Sequence, residues 1–374
     1  MGYVLISFLS WLILRFLVLR RLPCGRPART VLSCLFFLPI LYYAYLQASC
    51  FIVLPEPSFG TAILMGAWCG TVLIAAPPAS AGVLCLMRFG RKKSMRRVGA
   101  GTCLIFSLFF SSVLVLCGLR EGLSVPSVQE VSVNLPAGCD ALDGIRMAVI
   151  SDLHLGCATP PGWLEETLRR IKEARADIIL LDGDLSDGRP EDRRSDLARL
   201  GTLEAPFGVW AVPGNHEYYV DYAGIMAALP DSVHVLANSH ARLRTSRGTF
   251  VLAGVTDRKA RARGLPGPDI EKALSGLSGD GAIGPVLLMS HRPAGWSRNA
   301  ARGVVLQICG HTHGGQFIWN RLFLRLIGRR YLHGLFERNS SLLWVGSGAS
   351  QWFGFPLRVG VPPEIAVLNL HAGS

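Results

Sequence analysis

Acidic residues are nearly missing from the first third of this 374-residue chain: residues 1–135 hold 3 Asp and Glu against 12 Lys and Arg. The remainder is close to balanced, 23 against 26, so most of the net charge of +12 belongs to the opening segment. There the positive residues sit beside apolar runs, a pattern of membrane orientation rather than of nucleic-acid binding, and no nucleic-acid partner is expected. Usable cysteine is also scarce. Of ten, seven (Cys24, Cys34, Cys50, Cys69, Cys85, Cys103 and Cys117) fall in the apolar third. The other three, Cys139, Cys157 and Cys309, form no C-x-x-C pair and no zinc-ribbon spacing, which argues against a thiolate metal site. A Cys139–Cys157 disulfide would need an oxidising compartment and is left open. No internal repeat and no low-complexity tail is present, so solenoid and disordered-tail architectures fall away.

What the chain has in excess is apolarity. Mean hydropathy is +0.35, with 50% hydrophobic residues, and the excess lies before about residue 120. A span needs roughly 20 apolar residues. Four stretches come close: about 3–19, 31–54, 61–87 and 100–119. The first is the poorest, with Arg15 in its last turn, but no basic n-region precedes it and no small-x-small cleavage site follows. A retained helix is therefore expected there. The first loop carries Arg20, Arg21, Arg26 and Arg29, and the third carries Arg88, Arg91, Lys92, Lys93, Arg96 and Arg97. Between them, Pro55 to Gly60 has no positive charge. The positive-inside rule then puts both basic loops in the cytoplasm and everything after residue 120 outside it, with the plasma membrane as the expected location.

Residues 120–144 read as a connector with an edge strand, marked by alternating Val131, Val133 and Leu135. Residues 145–374 alternate strands and helices. Strands are expected at 145–150, 178–181, 209–212, 249–254, 286–289, 304–308, 342–346 and 364–370. After the first, Pro160 and Pro161 open a helix whose Leu164, Leu168 and Ile171 share a face. Arg258 to Arg263 reads as a solvated loop. Five of the strands end in metal-capable side chains: Asp152 and His154; Asp184 with Asp187 beyond it; Asn215 and His216; His291; and His311 and His313. Oxygen and imidazole donors without thiolate suit two divalent ions drawn from Mn, Fe, Zn, Co or Ni. Gly183, Gly214, Gly310 and Gly314 flank these donors and are expected to let the backbone turn sharply.

The blocks Asp152-Leu153-His154, Gly183-Asp184, Gly214-Asn215-His216, His291 and Gly310-His311-Thr312-His313 occur in this order. In that order they resemble the calcineurin-like metallophosphoesterases, in a membrane-anchored branch. The resemblance implies an α/β four-layer sandwich, two mixed sheets flanked by helices, here preceded by a transmembrane region at 1–119. It implies that Asp152, His154 and His313 bind one metal, that Asn215, His291 and His311 bind the other, and that Asp184 bridges them. His216 would protonate the leaving oxygen and Asp187 would orient it. One departure is notable: the phosphoprotein phosphatases follow this Asp with a phosphate-gripping Arg, where this chain has Gly188. The reaction implied is hydrolysis of a phosphomonoester, phosphodiester or pyrophosphate bond by a metal-bound hydroxide, with a lipid-linked substrate suggested by the anchor. Two rival readings stand beside it. One is a UDP-diacylglucosamine-type pyrophosphate hydrolase on the cytoplasmic face, which the loop charges oppose. The other is a non-catalytic membrane sensor or scaffold, which would be expected to lack a ligand or His216, and none is missing.

Other polar candidates take plainer readings. His234, His240, His333 and His371 sit in no motif and are expected to be structural or exposed. Arg292, next to His291, reads either as a phosphate contact or as a surface ion pair. Trp352, Phe353 and Phe355 near Gly354 read as core packing, with an acyl-chain contact as the alternative.

Overall fold

The computed structural model describes residues 2–49, 56–90, 92–277, 284–338, 340–352 and 355–373. Two compact units divide the chain: Met1–Glu121 with Phe355–Leu357, and Gly122–Gly354 with Arg358–Ser374. Of the residues singled out above, Cys50, Pro55, Arg91, Phe353 and Gly354 lie outside the described residues.

The first unit holds α1 (Gly2–Ile13), α2 (Arg26–Ala48), α3 (Phe59–Phe89) and α4 (Lys93–Gly122). Three helical stretches, Arg26–Ala48, Phe59–Phe89 and Ser94–Gly122, are long and apolar enough to cross a membrane. The 12 residues of α1 extend only about 18 Å as α-helix, short of a hydrocarbon core of about 30 Å. Helical backbone nevertheless continues through a π turn, Leu14–Val18, and a 3₁₀ turn, Leu19–Arg21. Arg15 in that π turn donates to Ser33 Oγ at 2.9 Å and lies over the Trp11 ring, so its charge is not stranded among apolar neighbours. Each of the other helices starts before its apolar stretch. Pro27 in the first turn lets α2 begin near its arginines, and α4 carries Arg96 and Arg97 in polar opening turns. Hydropathy marks the part of a helix in lipid, whereas the hydrogen-bond ladder runs on into water. Leu14, Phe36, Val72, Ala79, Val83 and Leu104 pack inside the unit. Ile105, Phe106 and Phe109 are each more than two-thirds exposed, an apolar exterior suited to lipid.

The second unit is a four-layer sandwich. Its strands are β1 (Ser127–Ala137), β2 (Arg146–Ile150), β3 (Ile178–Asp182), β4 (Val209–Val212), β5 (Val233–Val235), β6 (Ser239–Thr245), β7 (Gly248–Gly254), β8 (Val286–Met289), β9 (Val304–Cys309), β10 (Gly334–Arg338), β11 (Ser341–Val345) and β12 (Glu364–Gly373). One sheet runs β1-β12-β2-β3-β4-β5 and the other β10-β11-β9-β8-β7-β6. Both are mixed: β12 meets β2 antiparallel, as β10 meets β11 and β6 meets β7, and the remaining pairs are parallel. Alternation along each strand builds the layers. Met147, Val149, Ile178 and Leu180 face Leu252, Leu287, Leu306 and Ile308 between the sheets. Ala148, Ile150, Ile179 and Leu181 face the other way, onto Leu164, Leu168 and Ile171 of α5 (Trp163–Glu173).

Five short helices complete the unit: α6 (Pro190–Ala198), α7 (Tyr222–Ala227), α8 (Ile270–Ala273), α9 (Trp296–Ala300) and α10 (Ile318–Leu326). Pro160 and Pro161 stay in the turn before α5, which starts after Gly162 at φ +75°. Arg258–Arg263 is a 3₁₀ helix capped by the Asp257 carboxylate, which accepts from Lys259 N, rather than an open loop. Cys139 is a buried free thiol, so it makes no disulfide with Cys157.

Candidate metal centre

Parallel neighbours β2, β3 and β4 end on one rim, and β8 and β9 end on the facing rim of the second sheet. Each candidate donor follows one of these ends by two to four residues, which brings side chains up to 161 positions apart in sequence together. Asp184 lies at the middle. Its Oδ2 is 3.0 Å from His291 Nε2, 3.8 Å from His154 Nε2 and 3.9 Å from His216 Nε2. On one side Asp152 Oδ1 is 3.3 Å from His313 Nε2, and the two rings of His154 and His313 face each other, Nε2 to Nε2, at 3.3 Å. On the other side His291 and His311 come together with Asp184, their ligand atoms within 4.8 Å of one another. Asn215 lies beside them, its Oδ1 accepting from Arg292 Nη2 at 2.6 Å.

The backbone holds this cluster in an uncommon conformation. Among the described residues nine non-glycines have positive φ, and five of them are Asp152, His154, Asp184, His311 and His313. Such residues cost about 1–3 kcal/mol each and persist only where surrounding contacts fix them. The glycines divide by cause. Gly183 has φ +78°, and a Cβ there would also lie 2.7 Å from His291 Nδ1. Gly214 has ordinary φ, so a sharp turn is not its role. A Cβ there would fall 2.2 Å from Asp184 Oδ1, and the residue is small because the carboxylate needs its space.

Behind the donors stand residues without an assigned role in the sequence reading. Glu217 is fully buried and accepts from the backbone N–H groups of Asp184 (3.2 Å), Leu185 (2.7 Å) and Gly214 (2.7 Å), locking two strand-end loops together. Its position next to His216 was the available signal. Arg358 is also fully buried and donates to the carbonyls of Ser347 and Val361, with Nη2 3.3 Å from His313 Nδ1. Nothing local in its sequence marks it. Arg292 is more than a surface ion pair. It donates to the buried Asp257 carboxylate at 2.5 Å and also reaches Asn215 and His311. Asp187 Oδ1 sits 2.5 Å from His216 Nδ1 and 3.2 Å from His154 Nδ1. His333 bridges Arg321 and Glu364, His240 meets the Ala273 carbonyl and His234 stacks against Trp210, all away from the centre.

Positive charge around the cluster holds its buried carboxylates ionised. Burial works against the ionised forms of Asp152 and Asp184. Yet His313 and His154 beside the first, and His291 and His216 beside the second, hold both well below the usual carboxylate range. Burial alone would lower His291, but the Asp184 carboxylate facing it pushes it up to about 10. Burial takes His313 down to about 3, with Asp152 opposing and His154 and Arg358 assisting. The buried Nε2 of His291 lies 3.0 Å from Asp184 Oδ2 without the alignment of a hydrogen bond. Ionised carboxylates and inward imidazole nitrogens together fit divalent cations.

Two cavities flank the centre. One, of about 720 Å³, takes in His291 and Arg292 with Arg258, Arg261, Lys272 and Arg298 and also the carboxylates of Asp257, Asp269 and Glu271. The other, of about 440 Å³, takes in His311 and Arg292 with Arg258, Arg329, Arg330 and Leu324, and no carboxylate.

In this two-sheet sandwich the strand-end Asp and His side chains converge on Asp184. The chain carries a calcineurin-like metallophosphoesterase domain: the calcineurin-like phosphoesterase family model matches residues 145–315. An uncharacterized metallophosphoesterase of Helicobacter pylori is 34% identical over 257 residues, covering 68% of this chain and 66% of that protein. A transmembrane protein with metallophosphoesterase domain from Danio rerio is 28% identical over 302 residues, covering 76% and 68%. The uncharacterized metallophosphoesterase YkuE of Bacillus subtilis is 29% identical over 240 residues, covering 62% and 80%. The chain thus spans about two thirds of the length of the first two relatives. Among the described residues three helices are long and apolar enough to cross a membrane, and the Danio rerio relative is named as a transmembrane protein.

Proposed function

We propose that the protein is a membrane-anchored dimetal phosphoesterase that hydrolyses a phosphomonoester, phosphodiester or pyrophosphate bond, on a lipid-linked substrate, outside the cytoplasm. The observation that carries the reading is the convergence of His154, His216 and His291 on Asp184 Oδ2, with Asp152 and His313 beside it. Asp152, His154 and His313 would hold one ion and Asn215, His291 and His311 the other, with Asp184 between them. When bound, two such ions lower the pKa of a shared water and neutralise charge on the phosphoryl oxygens. The protein's own groups do the rest. His216, oriented through Nδ1 by Asp187, gives its proton to the departing oxygen as the P–O bond breaks. Arg292, fixed by Asp257 at the edge of both cavities, offers a guanidinium to a phosphoryl oxygen. The basic linings favour a substrate with anionic groups beyond the one that reacts.

Two measurements test this reading. Purified full-length protein should hydrolyse an aryl phosphodiester, and chelation should abolish turnover; undiminished turnover after chelation would end the dimetal assignment. Reporter fusions after residue 125 should be active with an export-dependent phosphatase and dark with a cytoplasm-dependent fluorophore. This follows from the loop charges of Arg20 to Arg29 and Arg88 to Arg97. The reverse pattern would place the site in the cytoplasm and make a nucleotide-linked lipid pyrophosphate the leading substrate.

A further inference from the structure

Helix α10 begins three residues after Gly315, directly beyond the candidate ligand His313, and it buries none of its residues. At 100° per residue, Ile318, Trp319, Leu322, Phe323, Leu326 and Ile327 fall within one half of its circumference. All six are exposed, Leu326 to 85%. The opposite half is fastened to the domain: Asn320 Nδ2 donates to Gly315 O, Arg321 reaches His333 Nδ1, and Leu324 lines the smaller cavity. The outward direction of the apolar face is therefore set by contacts on the inward side. A soluble domain rarely leaves such a continuous apolar face uncovered.

The surroundings of this face indicate what covers it. Residues 311–336 contain no Asp or Glu. Arg325, in the last turn of α10, and Arg329 and Arg330 just beyond it are exposed and form no ion pair among the described residues. Tryptophan, phenylalanine and leucine on one side with arginine at the margin is the composition of helices lying in a bilayer interface against anionic lipid. The chain also has three helices long and apolar enough to cross a membrane, which would keep a bilayer within reach.

We propose that α10 is a membrane-surface element. Its apolar face enters the boundary between headgroups and acyl chains, and Arg325, Arg329 and Arg330 meet lipid phosphates. The cavity lined by His311, Arg292, Leu324, Arg329 and Arg330 lies along the inward side of the same helix. It would receive the phosphate of a lipid-borne ester without that lipid leaving the bilayer. The membrane contact stands on α10 alone; the choice of substrate rests on the phosphoesterase reading above.

Full-length protein in phosphatidylcholine–phosphatidylglycerol vesicles, with and without acyl-brominated phospholipid, tests the contact. The Trp319 contribution is the difference between wild-type and Trp319→Phe fluorescence. It should lose most of its intensity to the brominated lipid. A Trp319 signal insensitive to bromine would overturn the proposal and assign the face to a protein partner or a second copy. As a second readout, the Leu322→Glu/Leu326→Glu variant should lower the ratio of turnover on vesicle-borne phosphatidic acid to turnover on a soluble aryl phosphodiester about tenfold. An unchanged ratio would remove the role in substrate access. Absence of turnover on both substrates in the wild type would instead reject the phosphoesterase reading, and the quenching result would still decide the membrane contact.

Discussion

The two sides of the candidate metal centre are built differently. Asp152, His154 and His313 are buried and knitted to one another. His154 is backed by Asp187, and His313 is backed by the Ser350 carbonyl. On the other side His291 is equally buried and backed by the Asp182 carbonyl, but His311 is only half-buried and Asn215 and His311 both touch Arg292. Both basic cavities open on this second side. The closed side has the features of a place that holds an ion, whereas the open side has those of a place where an ion and a phosphate meet. Ligands supported from behind by fixed acceptors keep their orientation, whereas a half-buried ligand beside a cavity lies within reach of an incoming anion.

Asp184 belongs to both sides, so its loss should produce the largest effect. Asp184→Asn keeps the volume and the Oδ1 that accepts from His216 N at 2.8 Å, while removing the anion between the two positions. Both ions should be lost together, with turnover falling at least about 10²-fold, since even residues behind metal ligands cost 10–100-fold. Metal content by mass spectrometry and circular dichroism of the same sample check it. Retention of one ion would show that the closed side binds independently, and would sharpen the contrast.

A smaller and more selective effect is expected at His216, which touches Asp184 from the closed side. His216→Gln should retain both metals yet slow alkyl phosphodiesters by about 10²–10⁴-fold, the range of general-acid contributions. Nitrophenyl esters, whose leaving group needs little protonation, should slow far less. Equal slowing of both substrates would make His216 a positioning residue and remove the proton-transfer role.

Much of this arrangement was legible in the sequence, and the exceptions have physical causes. Buried strands such as β2, β3 and β9 announce themselves as short apolar runs, and their ends locate the donor-rich loops. By contrast β5 has three residues, while β6 and β10 are peripheral, with exposed and charged positions, and their pairing partners supply the ordering that their composition does not. Positive φ at Asp152, His154 and Asp184 is imposed by contacts such as Asp152 N to Gly183 O, which no local pattern encodes. Arg358 is in the same class: a buried arginine 45 residues beyond His313 has no periodicity to betray it. The outward face of α10 was overlooked for the opposite reason. Its hydrophobic periodicity is plain, but periodicity alone cannot tell a face turned to a core from a face turned outward.

Asp187 should give the smallest effect and divides the two readings of the closed side most finely. Its Oδ1 reaches the Nδ1 atoms of both His154 and His216, so it supports a candidate ligand and a candidate proton donor at once. Burial opposes its charge, but the flanking imidazoles of His154 and His216 keep it well below the usual carboxylate range, so it is an anion at neutral pH. Asp187→Asn retains an acceptor oxygen of the same reach and removes only the charge. If its main duty is to His216, the variant should lose about tenfold on alkyl diesters, less on nitrophenyl esters, with metal affinity nearly unchanged. If its main duty is to His154, metal affinity should fall by about 10-fold or more and both substrates should slow alike, recovering at high metal concentration. The shorter contact, 2.5 Å to His216 against 3.2 Å to His154, favours the first pattern, and a metal titration of turnover with the two substrates side by side distinguishes them.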